Sequence, residues 1–236
     1  MSASRARHAI SLLELLVTLV IIGVLVSVLV PALATARTAA QETECRGHLH
    51  ALGIAWATVL EDQGAFPVIA DQPAWYWGGV RFSAFEPEPW VDLNRPFSRT
   101  LPPLRDVAPV DVFRCPADSG ITGAAAGVGT GRRTAYRSFG TSYRANAHLL
   151  AGRAGEGGTI TRLTPDAIGR APADVALLGD AGWFETLAST GRSAAWHGET
   201  CTCNVLFLDG SVRFERLDPA SARDRRWFDM PDATDP

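Results

Sequence analysis

From Ile10 to Ala36 the chain is apolar except for a few hydroxyl side chains and one carboxylate, Glu14. No other charged residue lies between Arg7 and Arg37. As a helix rising about 1.5 Å per residue, this run would span about 40 Å. That exceeds the roughly 30 Å hydrocarbon core of a bilayer. A carboxylate near membrane depth is unfavourable by about 2.5–3.5 kcal/mol. A segment that only crossed a membrane would have no reason to keep Glu14, so a second role is implied.

The first nine residues carry Arg5, Arg7 and His8. Positive charge before an apolar span predicts a cytoplasmic N-terminus, with everything after the span on the far side of the membrane. Three readings compete for the span. A secretory signal fits Ala34-Thr35-Ala36 as an A-x-A cleavage site, but Glu14 and the length of the run oppose it. A plain anchor fits the length and leaves Glu14 unexplained. The third reading rests on the residues around Glu14 and is taken up below.

Beyond Pro31 the helical pattern continues. Ala-rich sequence runs from Ala32 to Ala40. Leu49, Leu52, Ala55 or Trp56, and Val59 or Leu60 then recur at steps of three and four, which predicts one apolar stripe. Gly64 and Pro67 end it. The pattern predicts a single long helix from about Ile10 to Asp62. Gly23 and Pro31 are its weak points, because Pro31 lacks an amide donor. The 236-residue chain is 47% hydrophobic, enough for one domain with a real core. A net charge of −3 argues against nucleic acid as partner.

The remaining chain carries local signals. Val175–Asp180 reads as a buried strand. Asn204–Leu208 and Ser211–Leu217 read as paired strands, with Asp209-Gly210 as a two-residue primed turn. Trp75-Tyr76-Trp77-Gly78-Gly79, Phe82, Phe85 and Trp90 read as core and loop of the head. The alternative is an exposed patch for carbohydrate or a partner protein. Gly127-Val128-Gly129-Thr130-Gly131 lacks the Lys-Ser/Thr of a phosphate loop. His197 and Asp209 read as structural, a hydrogen-bond partner and a turn residue, so no enzyme is expected.

The segment from His8 to Val17, with Glu14 five residues into the chain that begins at Ile10, resembles the leader of type IV prepilins and type II secretion pseudopilins. In that family a basic leader is cut before the first apolar residue, the new N-terminus is methylated, and the fifth mature residue is Glu. The resemblance implies cleavage between Ala9 and Ile10 and methylation of Ile10. Ala9 departs from the usual Gly. It also implies filament assembly through Glu14, whose carboxylate would pair with a neighbouring subunit's N-terminal amine. Gly23 and Pro31 fall where the family has helix-loosening residues. Cys45 to Ala55, Glu61 to Pro67 and Phe113-Arg114-Cys115-Pro116-Ala117-Asp118 resemble a bacterial pseudopilin-like subgroup. So does Ser142-Tyr143-Arg144-Ala145-Asn146, expected to enter a sheet. His197, Asn204, Asp209 and Gly210 resemble its C-terminal signature, with eleven residues between His197 and Asp209 where nine are usual.

The implied fold is α+β and pilin-like, a long N-terminal helix packed on a mostly antiparallel sheet. The implied organisation is a leader over 1–9, a transmembrane or filament-core segment over 10–36 and a head-packing half-helix over 37–62. A globular head over 63–218 and a C-terminal tail over 219–236 complete it.

Cys45, Cys115, Cys201 and Cys203 allow three pairings. In an exported head disulfides persist. The resemblance favours Cys45–Cys115, with Cys115 to Cys201 or Cys203 as the alternative. A zinc site from Cys115, His197, Cys201 and Cys203 has suitable donors but no standard spacing. Calcium would have Asp118, Asp180 and Asp209 available without an EF-hand pattern. No cofactor is expected, and a structural metal stays open.

The resemblance implies a pseudopilin-like subunit of a type II secretion-like periplasmic filament for protein export. Its location would be the bacterial inner membrane, single-pass, with the head periplasmic. Its partners would be prepilin peptidase, the inner-membrane assembly platform, other pseudopilins and further copies of itself. The alternative is a membrane-anchored module that binds polysaccharide or an envelope protein with little polymerisation.

Overall fold

The computed structural model describes residues 12–71, 74–82, 90–92, 94–100, 110–120, 134–155, 158–180, 196–197 and 202–216. Ala9, Ile10, Phe85, Cys201, the Gly-rich stretch after Gly120 and the tail over 219–236 lie outside them.

The long helix is present as α1, Leu12–Gln63, and runs through Gly23 and Pro31 without a break. Gly64 ends it in a left-handed conformation at φ 67°, its amide donating to the Leu60 carbonyl at 2.8 Å. The chain divides into two units, one up to Ala40 and one from Gln41 onward.

In the first unit the helix is apolar on every side and exposed on every side, from Leu12 to Leu33. It is long and apolar enough to cross a membrane. Its hydroxyl side chains turn inward on their own backbone. Thr18 donates to the Leu15 carbonyl at 2.8 Å, Ser27 to Val24 at 2.7 Å and Thr35 to Pro31 at 3.1 Å. Such bonds satisfy the hydroxyls within the helix.

In the second unit α1 becomes one-sided. Cys45, Leu49, Leu52, Gly53, Trp56 and Val59 are buried, which selects Trp56 over Ala55 and Val59 over Leu60 from the sequence pattern. The stripe packs against a four-stranded antiparallel sheet. Its strands are β3 (Tyr143–Ala145), β6 (Ala176–Asp180), β7 (Thr202–Phe207) and β8 (Val212–Arg216), in the order β3-β6-β7-β8. Gly53 leaves room for Leu206: a Cβ there would lie 2.8 Å from its Cδ1. All of β6 and β7 is buried, so these two central strands form the middle of the core. The class is therefore α+β, a long N-terminal helix with an antiparallel sheet. Two short hairpins accompany it, β1 (Val80–Arg81) with β2 (Trp90–Val91), and β4 (Arg153–Ala154) with β5 (Ile160–Thr161).

Aromatic residues fill the layer beside the helix. Trp56 lies 4.8 Å from Phe97 and 6.1 Å from Trp77 between ring centroids, and Trp77 meets Phe97 at 5.1 Å. Trp75 stacks on Phe139 at 4.2 Å. Trp75 and Trp77 thus belong to the core, and Tyr143 enters the sheet as anticipated.

The β7–β8 hairpin corrects the expected turn. The sequence pattern makes Asp209-Gly210 the central pair of a primed turn. The Gly210 amide instead donates to the Phe207 carbonyl at 3.0 Å, and the Phe207 amide to Ser211 at 2.9 Å. Leu208 and Asp209 therefore occupy the centre, and Gly210 follows at φ 83°. This is the three-residue loop with a glycine bulge. The Leu206–Val212 register imposes it.

Gly140 closes the short helix α2 (Ala135–Phe139) at φ 78°. Its carbonyl accepts from the Val80 amide at 2.9 Å. A Cβ there would sit 1.9 Å from the Val80 carbonyl oxygen. Gly140→Ala combines a left-handed backbone with a clash against main chain. It is predicted to lower stability by at least about 2 kcal/mol, read by urea unfolding of the detergent-solubilised chain through tryptophan fluorescence.

Candidate functional site

The Cys115 motif folds as a tight turn. The Asp118 amide donates to the Cys115 carbonyl at 3.0 Å. The Asp118 carboxylate then accepts from the amides of Gly120 at 3.0 Å, Ala135 at 3.1 Å and Tyr136 at 2.9 Å, and from the Ser142 hydroxyl at 2.7 Å. Asp118 is thus a backbone organiser whose oxygens are engaged, and its calcium role is not supported by this environment. Burial pushes its carboxyl upward, against these hydrogen bonds. The helix side of the motif is held by α1: His48 Nδ1 lies 2.8 Å from the Arg114 carbonyl, and Gln41 donates to the Pro116 carbonyl at 3.3 Å.

This turn delivers Cys115 to the interior, where α1 delivers Cys45. Both are fully buried thiols. Together with His197, one donor atom from each lies within 4.8 Å of the others. Cys115 Sγ is 3.7 Å from His197 Nε2. Cys45 Sγ is 3.4 Å from the Tyr143 hydroxyl, which donates to the Cys45 carbonyl at the same distance.

The sheet supplies the counter-charge. Asp180, at the end of β6, places Oδ2 2.9 Å from His197 Nε2, and both side chains are fully enclosed. The Asn204 amide on β7 donates to the same oxygen at 2.9 Å, and Asn204 Nδ2 approaches it at 3.3 Å. Burial alone would make the imidazole harder to protonate. The bond to Asp180 and the neighbouring Cys45 outweigh this and hold His197 up to about 10. Burial pushes the Cys115 thiol well up. At Cys45 burial acts in the same sense, but hydrogen bonds from Cys115 and His197 overcome it and lower the thiol.

The signature residues therefore separate. His197 and Asn204 meet, with Nε2 and Nδ2 3.2 Å apart. Asp209 and Gly210 stand in the hairpin turn, where Asp209 Oδ1 accepts from the Ser211 amide at 2.9 Å and hydroxyl at 2.6 Å. Cys203 is adjacent to Asn204 on β7, across from Glu215, so strand alternation turns it to the other face. The zinc set expected from Cys115, His197, Cys201 and Cys203 is thereby corrected for Cys203, whose place beside Cys115 and His197 is taken by Cys45. Sequence reasoning missed the pairing of Asp180 with His197. The polar end of a buried strand was the available signal.

A second feature is a surface cleft of about 550 Å³ lined by Tyr76, Arg81, Phe82, Asp92, Arg95 and Arg137 among others. Arg95 donates to the Gly78 carbonyl at 2.6 Å and to Asp92 at 3.3 Å. It lies over Tyr76 at 5.1 Å, and Arg137 over Phe82 at 5.2 Å.

Removing one partner of a buried ion pair leaves the other uncompensated. Asp180→Asn is predicted to destabilise the chain by about 3–5 kcal/mol, measured by urea unfolding. Asp209→Asn, in the exposed turn, is predicted to change stability by less than about 1 kcal/mol.

Against known proteins, no family model matches the chain, and no curated protein or solved structure matches it either.

Proposed function

We propose that the chain is a pseudopilin-like structural subunit with a pilin-like fold, without enzymatic activity. It would be cut between Ala9 and Ile10 by a prepilin peptidase and methylated on Ile10. It would then assemble with copies of itself and related pseudopilins into a type II secretion-like periplasmic filament. In this reading the inner-membrane platform extracts α1 from the bilayer, and the helices bundle in the filament core. The head stays on the periplasmic side.

One observation carries the reading: Glu14 lies in the first turn of a helix that exposes apolar side chains from Leu12 to Leu33. Supporting it, the hydroxyls of Thr18, Ser27 and Thr35 are satisfied within the helix. A carboxylate there gains most by meeting a cation in an equally apolar setting, and a neighbouring subunit's N-terminal amine supplies one. The pair would fix the axial register between copies.

The cleft lined by Tyr76, Phe82, Arg81, Arg95 and Arg137 favours a second reading, an anchored module that binds an acidic polysaccharide or envelope partner through stacked aromatics and guanidinium groups. The two readings differ at Glu14. Glu14→Ala is predicted to leave membrane insertion intact and to abolish cross-linking between copies in cells, by at least about tenfold. Unchanged cross-linking with Glu14→Ala would move the anchored module ahead.

A further inference from the structure

We propose that Cys45, Cys115 and His197, whose donor atoms lie within 4.8 Å of one another, hold one zinc-class divalent ion in a buried site, with Asp180 Oδ2, 2.9 Å from His197 Nε2, drawn in as the fourth donor. The four side chains come from α1, the Cys115 turn, the segment before β7 and the end of β6, and all are buried. Zinc bonds of about 2.3 Å to sulfur and about 2.0–2.1 Å to nitrogen or oxygen set neighbouring donors of a tetrahedral ion roughly 3.3–3.8 Å apart. Cys115 Sγ and His197 Nε2, at 3.7 Å, already have that spacing. His197 Nε2 and Asp180 Oδ2, at 2.9 Å, would open by a few tenths of an ångström.

The hydrogen-bond inventory points the same way. Among the described residues, four buried side-chain polar atoms have no partner. Three of them belong to this cluster: Asp180 Oδ1, His197 Nδ1 and Asn204 Oδ1. The proposed ligand atoms are their neighbours on the same side chains, His197 Nε2 and Asp180 Oδ2. His197 Nε2 also faces two conflicting neighbours. Asp180 Oδ2 requires a proton on it, while Asn204 Nδ2, a donor, requires a lone pair. Flipping the Asn204 amide would set its oxygen against Asp180 Oδ2. A cation bound to both Nε2 and Oδ2 removes the conflict and leaves the Asn204 backbone and side-chain N–H groups donating to the carboxylate, as outer-shell partners do.

The donor chemistry selects the metal. Two thiolates and an imidazole suit a borderline-soft ion and disfavour calcium or magnesium. Binding releases the thiol protons and the His197 Nε2 proton to solvent and couples metal to folding. The ion would fasten α1 to the central strands of the sheet. The rival use of the same sulfurs is a Cys45–Cys115 disulfide, which would leave no thiolate ligands.

The test uses the full chain, purified from membranes in detergent without reductant. Zinc content is measured directly. A chelator-treated sample is then titrated with Zn²⁺ or Co²⁺. The proposal expects one zinc per chain and two protected thiols at Cys45 and Cys115. With cobalt it expects thiolate-to-metal charge-transfer absorption together with tetrahedral ligand-field bands. Cys203→Ala should keep these signals and Cys115→Ala should lose them. Asn204→Ala should weaken zinc binding about 10–100-fold. The cobalt spectrum of the unaltered chain decides the matter even where a variant fails to fold. A Cys45–Cys115 disulfide in the isolated protein, or a cobalt titration without charge-transfer absorption, overturns the proposal.

Discussion

Burial of one narrow stripe of α1 against the sheet is the contact on which the head depends. Leu49, Leu52, Trp56 and Val59 are each at most 2% exposed, and Gly53 brings the helix backbone up to Leu206 on β7. Fully burying each large side chain contributes about 1.5–3 kcal/mol. The aromatic layer of Trp77, Phe97 and Phe113 rests on Trp56 and on the sheet at once. Without the stripe, the short strands β1, β2, β4 and β5 would have no core to join.

The same helix changes character along its length. Up to Leu33 every face is aliphatic and exposed, a composition suited to lipid or to other helices. From Cys45 onward one face is buried, with Cys45, Leu49, Leu52, Gly53, Trp56 and Val59 on it. Cys45 begins the buried stripe. It therefore joins two functions, packing of the helix and supply of a sulfur donor to the polar centre formed by Cys115, His197 and Asp180.

The helix was legible because period-3.6 patterning and apolar length are local signals, and its end was legible from Gly64. The strands at Ala176–Asp180 and Thr202–Phe207 were legible from β-prone apolar runs. The short hairpins were not, because two-residue strands carry no pattern of their own. The Asp209-Gly210 turn shows a finer limit. The dipeptide fits both a primed turn and a bulged loop, and cross-strand register chooses between them. The polar centre was half legible. Cys45, Cys115 and His197 stood out as chemistry-bearing residues, but their meeting with Asp180 joins four segments far apart in the chain. No spacing rule encodes such a meeting; the sheet order β3-β6-β7-β8 and the docking of α1 produce it.

The most direct test of the central claim is intact-mass and N-terminal peptide analysis of the protein from its native membrane. The filament account predicts a chain beginning at methylated Ile10 with Glu14 retained. A chain beginning after Ala36 would contradict it, since the helix that carries Glu14 would be gone. An uncut chain beginning at Met1 would contradict prepilin processing and leave an anchored module.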